Sequence, residues 1–548
     1  MKRYLIIALA ALSFAACAEK INDGMSPEQT GEIEQSFIAI NLMSSELDTR
    51  VNTDTPSLED GDAAERVVKT VHFFFYRQGA PFAVNAAGNA PGGGRNWLQA
   101  TNPTFTEDLD KDNISAYSNV MLVLNNYKGQ YPDQIVAVIN WNPAKDVYTL
   151  ADLRTTLSQL QGNDNGFVMS NSVYKSGESV IDATPISGTY ETAALAEQNP
   201  IDIYVERIAA KVKVNTPATS DSDWDAVNKR FDTGESSDFI TLGEKKVYVQ
   251  IQNWSLYNAR NQSNLVKSIN PGWTDESLGL TWNDSPRFRS YWAYADNFAP
   301  EGTYANGNVF NWDAGNALGS ATYCGENTAP LTEERTKLVL KGKLVDADGN
   351  AFELVKWNGQ EIVEVENLKK AVAAQLQYLV YSYTESGTEK VYSSITDSDI
   401  QCISGTLDSA PAGVEAYEVY FQLTTTAESK KWAIKSGETW TPKDASQINT
   451  YLIDNIPAAM VYASGQTYYY IDIKHLGTAG KGAEYGIVRN HIYDIVIESI
   501  KGYGTPVFGT GDNILVPETP IEEDGTYVAA KINILSWRIV QQGVNIVQ

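Results

Sequence analysis

The sequence is poor in the residue types that build most catalytic and metal sites. Its 548 residues include only 3 histidines and 3 cysteines. So few histidines leave little material for histidine-based triads or zinc sites, and so few cysteines exclude a disulfide framework. The sequence leaves open whether Cys324 and Cys402 form a disulfide with each other. Stability must therefore come from packing.

Positive charge is also scarce. The 42 lysines and arginines are outnumbered by 68 acidic residues, for a formal net charge of −26. Recognition of nucleic-acid phosphates starts from a basic surface, so this balance argues against a nucleic-acid-binding protein. It equally disfavours adhesion to anionic lipid, and it helps to keep an exposed protein soluble.

Long apolar runs are missing, apart from a short one at the start. The segment "MKRYLIIALAALSFAAC" has two basic residues, a brief apolar stretch and small residues before Cys17. It is too short for a persuasive membrane span and has the order of a secretion signal. It resembles a bacterial lipoprotein signal, in which Cys17 is acylated, although Phe14 stands where leucine is usual. The alternative is an ordinary secretion signal with an incidental cysteine.

What the chain does have is apolar and aromatic material suited to sheets. Hydrophobic residues make up 43% and aromatics 11%, including 30 tyrosines. Such composition favours packed β structure over disorder. We predict strands in segments such as "SFIAINLMS", "TVHFFFY", "YVERIAAKVKV" and "HIYDIVIESIK". The leucine spacing in "TLADLRTTLSQLQ", closed by Gly162, predicts a helix, and "VENLKKAVAAQL" predicts a second one.

No motif for catalysis or for a cofactor stands out. His72 lies in a predicted strand and is expected to be a packed residue, whereas His475 and His491 lack accompanying ligands at metal spacing. The segment Asp346–Asn350 resembles the start of a calcium loop, but its twelfth position is Trp357, so we predict a hairpin turn between "LVLKGKLV" and "AFELV". The glycine-rich "APGGGRNW" precedes no predicted helix and is a weak phosphate site. We therefore expect no catalytic residues, no metal and no cofactor.

The end of the sequence is a run of strand-forming residues, "INILSWRIVQQGVNIVQ". Its apolar residues do not alternate simply, which indicates a bulge or bend at "QQG" and before Leu535 rather than one straight strand. They are Ile532, Ile534, Leu535, Trp537, Ile539, Val544 and Ile546. Preceded by the linker "VPETPIEEDGT", this segment is predicted to extend away from its own domain as a donor strand.

Several of these segments together resemble the fimbrillins of the Bacteroidales, the FimA-like or type V pilins, and most closely the minor-fimbrium shaft branch. The pieces are the lipoprotein start, "SFIAINLMS", "TVHFFFY", "VERIAAKV", "RNHIYDI" and the tryptophan-containing end. The resemblance implies a mainly β fold with two β-sandwich domains of transthyretin-like, Greek-key type and a few short helices. It gives no expectation for residues 270–327.

The resemblance also implies a division of the chain. We predict a signal over residues 1–17, a removable arm over 18–50, an N-terminal sandwich over 51–214, a C-terminal sandwich over 215–514, and a linker with donor strand over 515–548. Arg50 is the expected processing site for an Arg-specific, trypsin-like surface protease, and Arg66 is its competitor.

In the function that the resemblance implies, removing the first strand opens a groove that a neighbour's C-terminal strand fills. The chain would then be an outer-membrane lipoprotein precursor and later a subunit of a cell-surface fimbrium, supporting adhesion and biofilm formation. Its partners would be copies of itself, related fimbrial subunits and surface receptors. Alternatives are a tip or accessory adhesin, or a glycan-binding surface lipoprotein, although the latter are usually built on helical repeats.

Overall fold

The computed structural model describes residues 35–45, 57–58, 61–84, 94–101, 103–107, 114–125, 131–162, 166–176, 179–190, 192–239, 243–268, 309–311, 315–328, 334–405, 410–475, 484–509, 513–515, 527–535 and 538–542. Strands predominate among them, and the helices are few and short. The predicted mainly β fold class is therefore confirmed.

The described strands and helices have these bounds in chain order. The strands up to residue 215 are β1 (Gln35–Ser45), β2 (Ser57–Leu58), β3 (Thr70–Arg77), β4 (Ala80–Pro81), β5 (Trp97–Thr101), β6 (Thr106–Glu107), β7 (Ile114–Asn125), β8 (Gln134–Ile139), β9 (Leu157–Gln159), β10 (Met169–Asn171), β11 (Tyr174–Ser176), β12 (Ser179–Ile181), β13 (Thr184–Pro185), β14 (Ile201–Arg207) and β15 (Ala209–Asn215). Those up to residue 363 are β16 (Trp224–Asp225), β17 (Arg230–Phe239), β18 (Gly243–Tyr257), β19 (Gln262–Asn264), β20 (Val309–Asn311), β21 (Ala321–Gly325), β22 (Lys337–Val345), β23 (Leu354–Trp357) and β24 (Gln360–Val363). The rest are β25 (Val380–Ser386), β26 (Glu389–Ser394), β27 (Ile400–Ser404), β28 (Val419–Leu423), β29 (Lys431–Ser436), β30 (Thr439–Lys443), β31 (Met460–Tyr462), β32 (Gln466–Asp472), β33 (Ile492–Lys501), β34 (Thr505–Pro506), β35 (Asn513–Leu515), β36 (Tyr527–Leu535) and β37 (Arg538–Gln542). The α-helices are α1 (Leu150–Thr155), α2 (Ala193–Glu197), α3 (Val365–Leu376), α4 (Thr425–Glu428) and α5 (Ala445–Asn455), with 3₁₀ turns at Ala63–Arg66, Asp397–Asp399 and Ala463–Gly465.

A ten-stranded sheet forms the N-terminal part. Its main order is β4-β3-β8-β10-β14-β1-β7-β6, with β5 and β13 pairing at its side. Side chains alternate across a strand, so the apolar run in β3 serves two cores. Phe73 and Phe75 belong to one cluster, and Phe74 and Tyr76 belong to the cluster on the opposite face. The sheet is therefore covered on both sides.

Two six-stranded sheets form the next part. One has the order β2-β37-β36-β33-β15-β21 and the other β16-β17-β18-β22-β32-β34. A single core joins them, with Val212 and Ile495 from the first sheet and Trp254, Leu340 and Tyr469 from the second. Two sheets packed on a shared apolar layer make a β-sandwich.

A separate unit is inserted between two paired strands of this sandwich. Strands β22 and β32 are hydrogen-bonded neighbours, yet residues 346–465 lie between them in the sequence. The insertion has its own core, which includes Leu368, Trp432 and Leu452 from α3, β29 and α5. The second predicted helix, "VENLKKAVAAQL", is confirmed as α3. The independent core of this unit was not foreseen from the sequence.

The first predicted helix is too long. Helix α1 begins at Leu150 after the capping residue Thr149 and ends at Thr155. The next residues form β9, which pairs with β19. Two consecutive threonines at this point lower helix propensity, and the ladder with β19 satisfies the backbone groups that a longer helix would have used.

None of the helices in the described part of the chain combines the length and apolar character that a membrane crossing requires.

The core of the inserted unit can be tested at Trp432. Its side chain is fully buried and its indole N–H donates to the carbonyl oxygen of Ala427 at 2.9 Å. We expect Trp432→Ala to lower the free energy of unfolding of this unit by about 3–5 kcal/mol, because it leaves a large cavity. Urea denaturation with limited proteolysis measures it. Tyr378→Ala, at a position 73% exposed, is the control; equal stability of the two variants would contradict the core assignment.

Candidate assembly site

The first strand occupies a central slot in the ten-stranded sheet. Strand β1 pairs with β7 antiparallel from Gln35 to Ser45 and with β14 parallel from Ile40 to Ser44. Its backbone is therefore bonded on both sides. The predicted strand "SFIAINLMS" is confirmed.

The described side chains of β1 are part of the core. Ile38 and Ile40 are each 1% exposed and belong to the cluster that contains Leu122 of β7 and Ile203 of β14. Ala39 points to the other face and is buried as well, and α2 lies against β1. The slot is therefore lined by apolar side chains and by two neighbouring strand backbones.

The C-terminal segment forms a hairpin on its own sandwich. Strand β36 pairs antiparallel with β33 from Tyr527 to Leu535. The chain then reverses, and β37 pairs with β36 and with the two residues of β2. The segment is therefore not one straight strand, but the reversal follows Leu535, whereas the sequence pattern placed the bend before this residue. Strand β36 is held on both sides, whereas β37 has only the short β2 beyond it.

The structure describes some of the predicted site residues and not others. Ile532, Ile534 and Leu535 lie in β36, opposite Ile495, Tyr493 and Ile492 respectively, and Ile539 lies in β37 opposite both Leu535 and Ser57. Outside the described residues lie Cys17, Arg50, Trp537, Val544 and Ile546. The roles assigned to all of them stay predictions, as do the predicted domain bounds.

Arg66 ends a 3₁₀ turn that is fixed to the C-terminal sandwich. The neighbouring Glu65 is 1% exposed, and its carboxylate lies 2.7 Å from the ammonium of Lys211 and accepts a hydrogen bond from the Tyr323 hydroxyl. Burial alone would lower the pKa of Lys211, but the hydrogen bond and charge of Glu65, with Asp62, raise it. The turn is therefore held by a buried ion pair.

Two of the sequence motifs meet where the chain passes from one sheet to the other. In "VERIAAKV", β14 ends at Arg207 in the ten-stranded sheet and β15 begins at Ala209 in the sandwich. The "RNHIYDI" motif lies beside the start of β15. The backbone N–H of Asn490 donates to the carbonyl oxygen of Ala209 at 2.6 Å, and the backbone N–H of Lys211 donates to the carbonyl oxygen of His491 at 2.9 Å. The passage lies before the predicted bound at residue 214.

Buried charges reinforce this junction, and the sequence analysis did not identify them. Lys267 and Glu206 form an ion pair at 2.8 Å with both side chains 1% exposed. Arg489 pairs with Glu326 at 2.5 Å and donates to the carbonyl of Leu265 at 3.0 Å. Burial lowers the pKa of Lys267 and Glu206 opposes this. Glu206 and Arg489, which lie in the "YVERIAAKVKV" and "RNHIYDI" segments, were the available signal, because charged side chains are rarely fully buried without a partner.

The histidines and cysteines take structural positions. His72 is 2% exposed in β3 and meets Trp97 edge to face, as predicted for a packed residue. His475 and His491 are brought together at 5.3 Å between ring centroids. Cys324 and Cys402 are free thiols, and burial raises the pKa of each to about 12. Among the described residues, no three histidine, cysteine, aspartate or glutamate side chains are grouped so that they could hold a metal ion.

The segment Asp346–Asn350 is a turn, as predicted. The Asp346 carboxylate accepts hydrogen bonds from the N–H groups of Asp348 and Asn350, both at 2.9 Å. Gly349 adopts a positive φ of 84°, which suits glycine at such a turn. The predicted hairpin is wrong beyond this turn: an isolated bridge joins Val345 and Ala351, but the following strand β23 pairs with β24 and β31, whereas β22 pairs with β18 and β32.

Comparison with known protein families gives one match. Residues 460–543 match the family "Major fimbrial subunit protein type IV, Fimbrillin, C-terminal". The matched region runs from β31 to the end of β37 and contains both the "RNHIYDI" motif and the C-terminal hairpin. The resemblance to fimbrillins is thereby confirmed, and the match supports a fimbrial subunit; the branch within the family is not tested by it.

Solved structures give distant likenesses. A fimbrilin (FimA) from Porphyromonas gingivalis W83 is 13% identical, with 90% of this chain and 96% of that chain covered and a TM-score of 0.33. The tip fimbrial protein Mfa3 from Porphyromonas gingivalis is 10% identical, with coverage of 91% and 99% and a TM-score of 0.30. A fimbrial assembly protein from Parabacteroides distasonis ATCC 8503 is 9% identical, with coverage of 74% and 100% and a TM-score of 0.27. These superpositions are too weak for residue roles to be transferred. No curated protein matches the chain significantly.

His72 makes folding stability depend on pH. Burial lowers the pKa of His72 from 6.5 to about 4. Between these pH values His72 is protonated in the unfolded chain but not in the folded chain. The contribution of His72 to the free energy of unfolding is therefore fully present above pH 6.5 and is lost as the pH falls towards 4. The loss amounts to about 3 kcal/mol at pH 4. Urea unfolding of His72→Phe, which keeps a ring against Trp97, should lack this part of the pH dependence. Identical pH dependence in the two proteins would contradict it.

Proposed function

We propose that this chain is a structural fimbrial subunit that polymerises by protease-triggered donor-strand exchange. The observation that carries the proposal is the position of β1. It is a central strand, bonded to β7 and β14, and it lies immediately before the segment that contains Arg50. A cut at Arg50 would therefore separate a structural strand of the N-terminal sheet from the rest of the chain.

Loss of β1 creates a surface that another strand can fill. Strands β7 and β14 would face each other across about 10 Å, twice the strand spacing, with their backbone groups unpaired. The cavities of Ile38 and Ile40 would open to water, at a cost of about 1.5–3 kcal/mol for each side chain. Exposed strand edges and apolar cavities together favour the capture of a strand from a neighbouring molecule.

The surroundings of the two candidate arginines favour Arg50 as the processing site. Arg66 is half-buried and lies beside Glu65, whose ion pair with Lys211 fixes the turn. A protease needs several residues in extended form around the cleaved bond, so binding at Arg66 would require the buried ion pair to open. Residues 46–56, which contain Arg50, include aspartate, asparagine, threonine and proline, a composition typical of accessible loops.

The hairpin suggests which part of the C-terminal segment is donated. Strand β36 is bonded along nearly its whole length to β33, so its removal would open the second sandwich. Strand β37 pairs with β36 at four positions and with β2 at two. We therefore assign the donor to residues 536–548, whose apolar residues include Trp537, Ile539, Val544 and Ile546. The donor would stay attached to its own sandwich through β36, which contains Ile532, Ile534 and Leu535.

The lengths of donor and slot agree. The 11 residues of β1 span about 36 Å when extended, and residues 536–548 span about 43 Å at the same rise. A donor of this length can replace β1 along its full pairing with β7. Burial of several large apolar side chains, added to two ladders of hydrogen bonds, would give a long-lived joint.

Export and location follow from the start of the chain. Acylation at Cys17 would hold the precursor at the outer membrane until an Arg-specific protease removes the arm, after which the subunit joins a surface fimbrium. Adhesion and biofilm formation are the roles proposed for the assembled polymer. We propose no enzymatic activity. The mainly β fold argues against a glycan-uptake lipoprotein built on helical repeats, and a tip or accessory adhesin remains the second candidate.

The first test is the substitution Arg50→Ala. We expect a secreted chain that protease does not convert, because β1 stays covalently attached and keeps the slot filled. Size-exclusion chromatography should show only monomer after protease treatment, whereas the unmodified chain should yield polymer. Arg66→Ala is the matched control and should polymerise normally. Abundant polymer from Arg50→Ala, with N-terminal sequencing that shows a cut elsewhere, would overturn the proposed site.

The second test removes residues 536–548. The truncated chain should fold, because β36 retains its pairing with β33, but it should not donate. Its slot remains usable after clipping, so it should cap polymers of the intact chain and shorten them in proportion to its share of the mixture. Size distributions of mixed samples measure this effect. Unchanged polymer length at equal proportions would contradict the assignment of the donor.

A further inference from the structure

The inserted unit carries a sheet with one face in its core and one face outward. The sheet has the order β26-β25-β29-β30. Val380 and Trp432 point inward and belong to the core of the unit. Because side chains alternate along a strand, the residues between them point to the opposite, outer face.

The outer face is dominated by large apolar side chains. They are Leu379, Tyr381, Tyr383, Tyr392 and Trp440, here called the aromatic face. Leu379 is 40% exposed and each of the four rings is half-buried. The register places them in neighbouring rows, with Tyr383 opposite Tyr392. Apolar side chains concentrated at one place on a surface mark an interaction site more often than scattered ones do.

The rings of the aromatic face are held in fixed positions by one another. Trp440 and Tyr392, from the two edge strands, stack with centroids 3.8 Å apart. Tyr381 meets Trp440 edge to face at 4.7 Å, and Tyr383 lies 5.4 Å from Tyr392. Rings already fixed in this way lose little conformational entropy when a ligand binds, which favours affinity.

The charges around the aromatic face are opposite in sign to those of the chain as a whole. Lys390, Lys431 and Lys435 border it, and Glu385 is the acidic residue that pairs with the first two. The ammonium groups of Lys390 and Lys435 lie 4.6 Å from the ring of Tyr383 and 5.3 Å from that of Trp440. The alternating register therefore gives this face three positive charges and one negative, on a chain of net charge −26.

We propose that the aromatic face binds acidic oligosaccharides, those with carboxylate or sulfate groups. The apolar C–H faces of pyranose rings pack against aromatic rings, and the lysine ammonium groups pair with the acidic substituents. The face lies on an open sheet, which suits successive units of a polymer. This inference goes beyond the assembly role and does not depend on it, because the inserted unit is separate from the slot of β1.

Two other polyanions fit the same observations less well. A single-stranded nucleic acid binds along a positively charged groove that follows its backbone, whereas this face offers three lysines, two of them paired with Glu385, on an open sheet. An acidic peptide would supply charges for the lysines but no flat apolar rings to cover four aromatic side chains. A sugar acid supplies both.

Calorimetric titration of the full-length chain tests the proposal. The probes are a galacturonic acid hexamer, a heparin hexasaccharide, neutral maltohexaose and a short polyglutamate peptide. We expect binding of at least one acidic hexasaccharide, its weakening with salt, and no binding of maltohexaose or polyglutamate. The two acidic probes distinguish carboxylate from sulfate recognition. Failure of both to bind, or equal binding of polyglutamate, would overturn the proposal.

Variants then locate the site. Trp440→Ala should weaken binding at least tenfold, and Lys435→Gln should weaken it severalfold and reduce its salt dependence. Lys145→Gln is the matched control, since Lys145 also lies over an aromatic ring, at 4.8 Å from that of Tyr148, but far along the chain. A thermal melt of each variant separates loss of binding from loss of folding. Unchanged affinity in Lys435→Gln and Trp440→Ala would place the binding elsewhere and refute this site.

Discussion

A strand in the middle of a sheet needs a partner on each side, and this requirement governs β1. It lies between its neighbours β7 and β14 in the sheet, and Ile38 and Ile40 are part of the core that includes side chains of both. The N-terminal sheet is therefore complete only while β1, or a strand that replaces it, lies in the slot. If, as we propose, a protease removes the arm that contains β1, a single peptide bond controls whether this sheet is complete.

The junction between the two parts makes such a change effective. Strand β14 borders the slot, and after one residue the same chain becomes β15 of the sandwich that carries the C-terminal hairpin. The ion pair of Lys267 with Glu206 and that of Arg489 with Glu326 are buried near this passage. Separating a buried ion pair leaves charges without partners at a high cost in free energy, so opening of the junction is unfavourable. Strands β14 and β15 thus connect the sheet that would accept a strand, in the function we propose, with the sandwich whose C-terminal segment would be donated.

The sequence allowed the main strands and the mainly β class to be predicted, because β-branched and aromatic runs such as that of β3 have few other solutions. It did not predict the independent inserted unit, since β22 and β32 pair across more than a hundred residues and no local pattern reports such a long-range ladder. The length of helix α1 was overestimated, because the leucine spacing of this segment fits one long helix as well as a short helix followed by a strand. The alternation break near Leu535 was visible, but only tertiary pairing decides that it becomes a hairpin.

Electron cryomicroscopy of protease-clipped, assembled material tests the central claim most directly. The account predicts filaments in which a strand continuous with the neighbouring subunit's C-terminal segment lies between β7 and β14, in the position of β1. Clipped molecules that remain single particles would contradict it. So would filaments in which this position is empty, or is occupied by a segment of the same subunit.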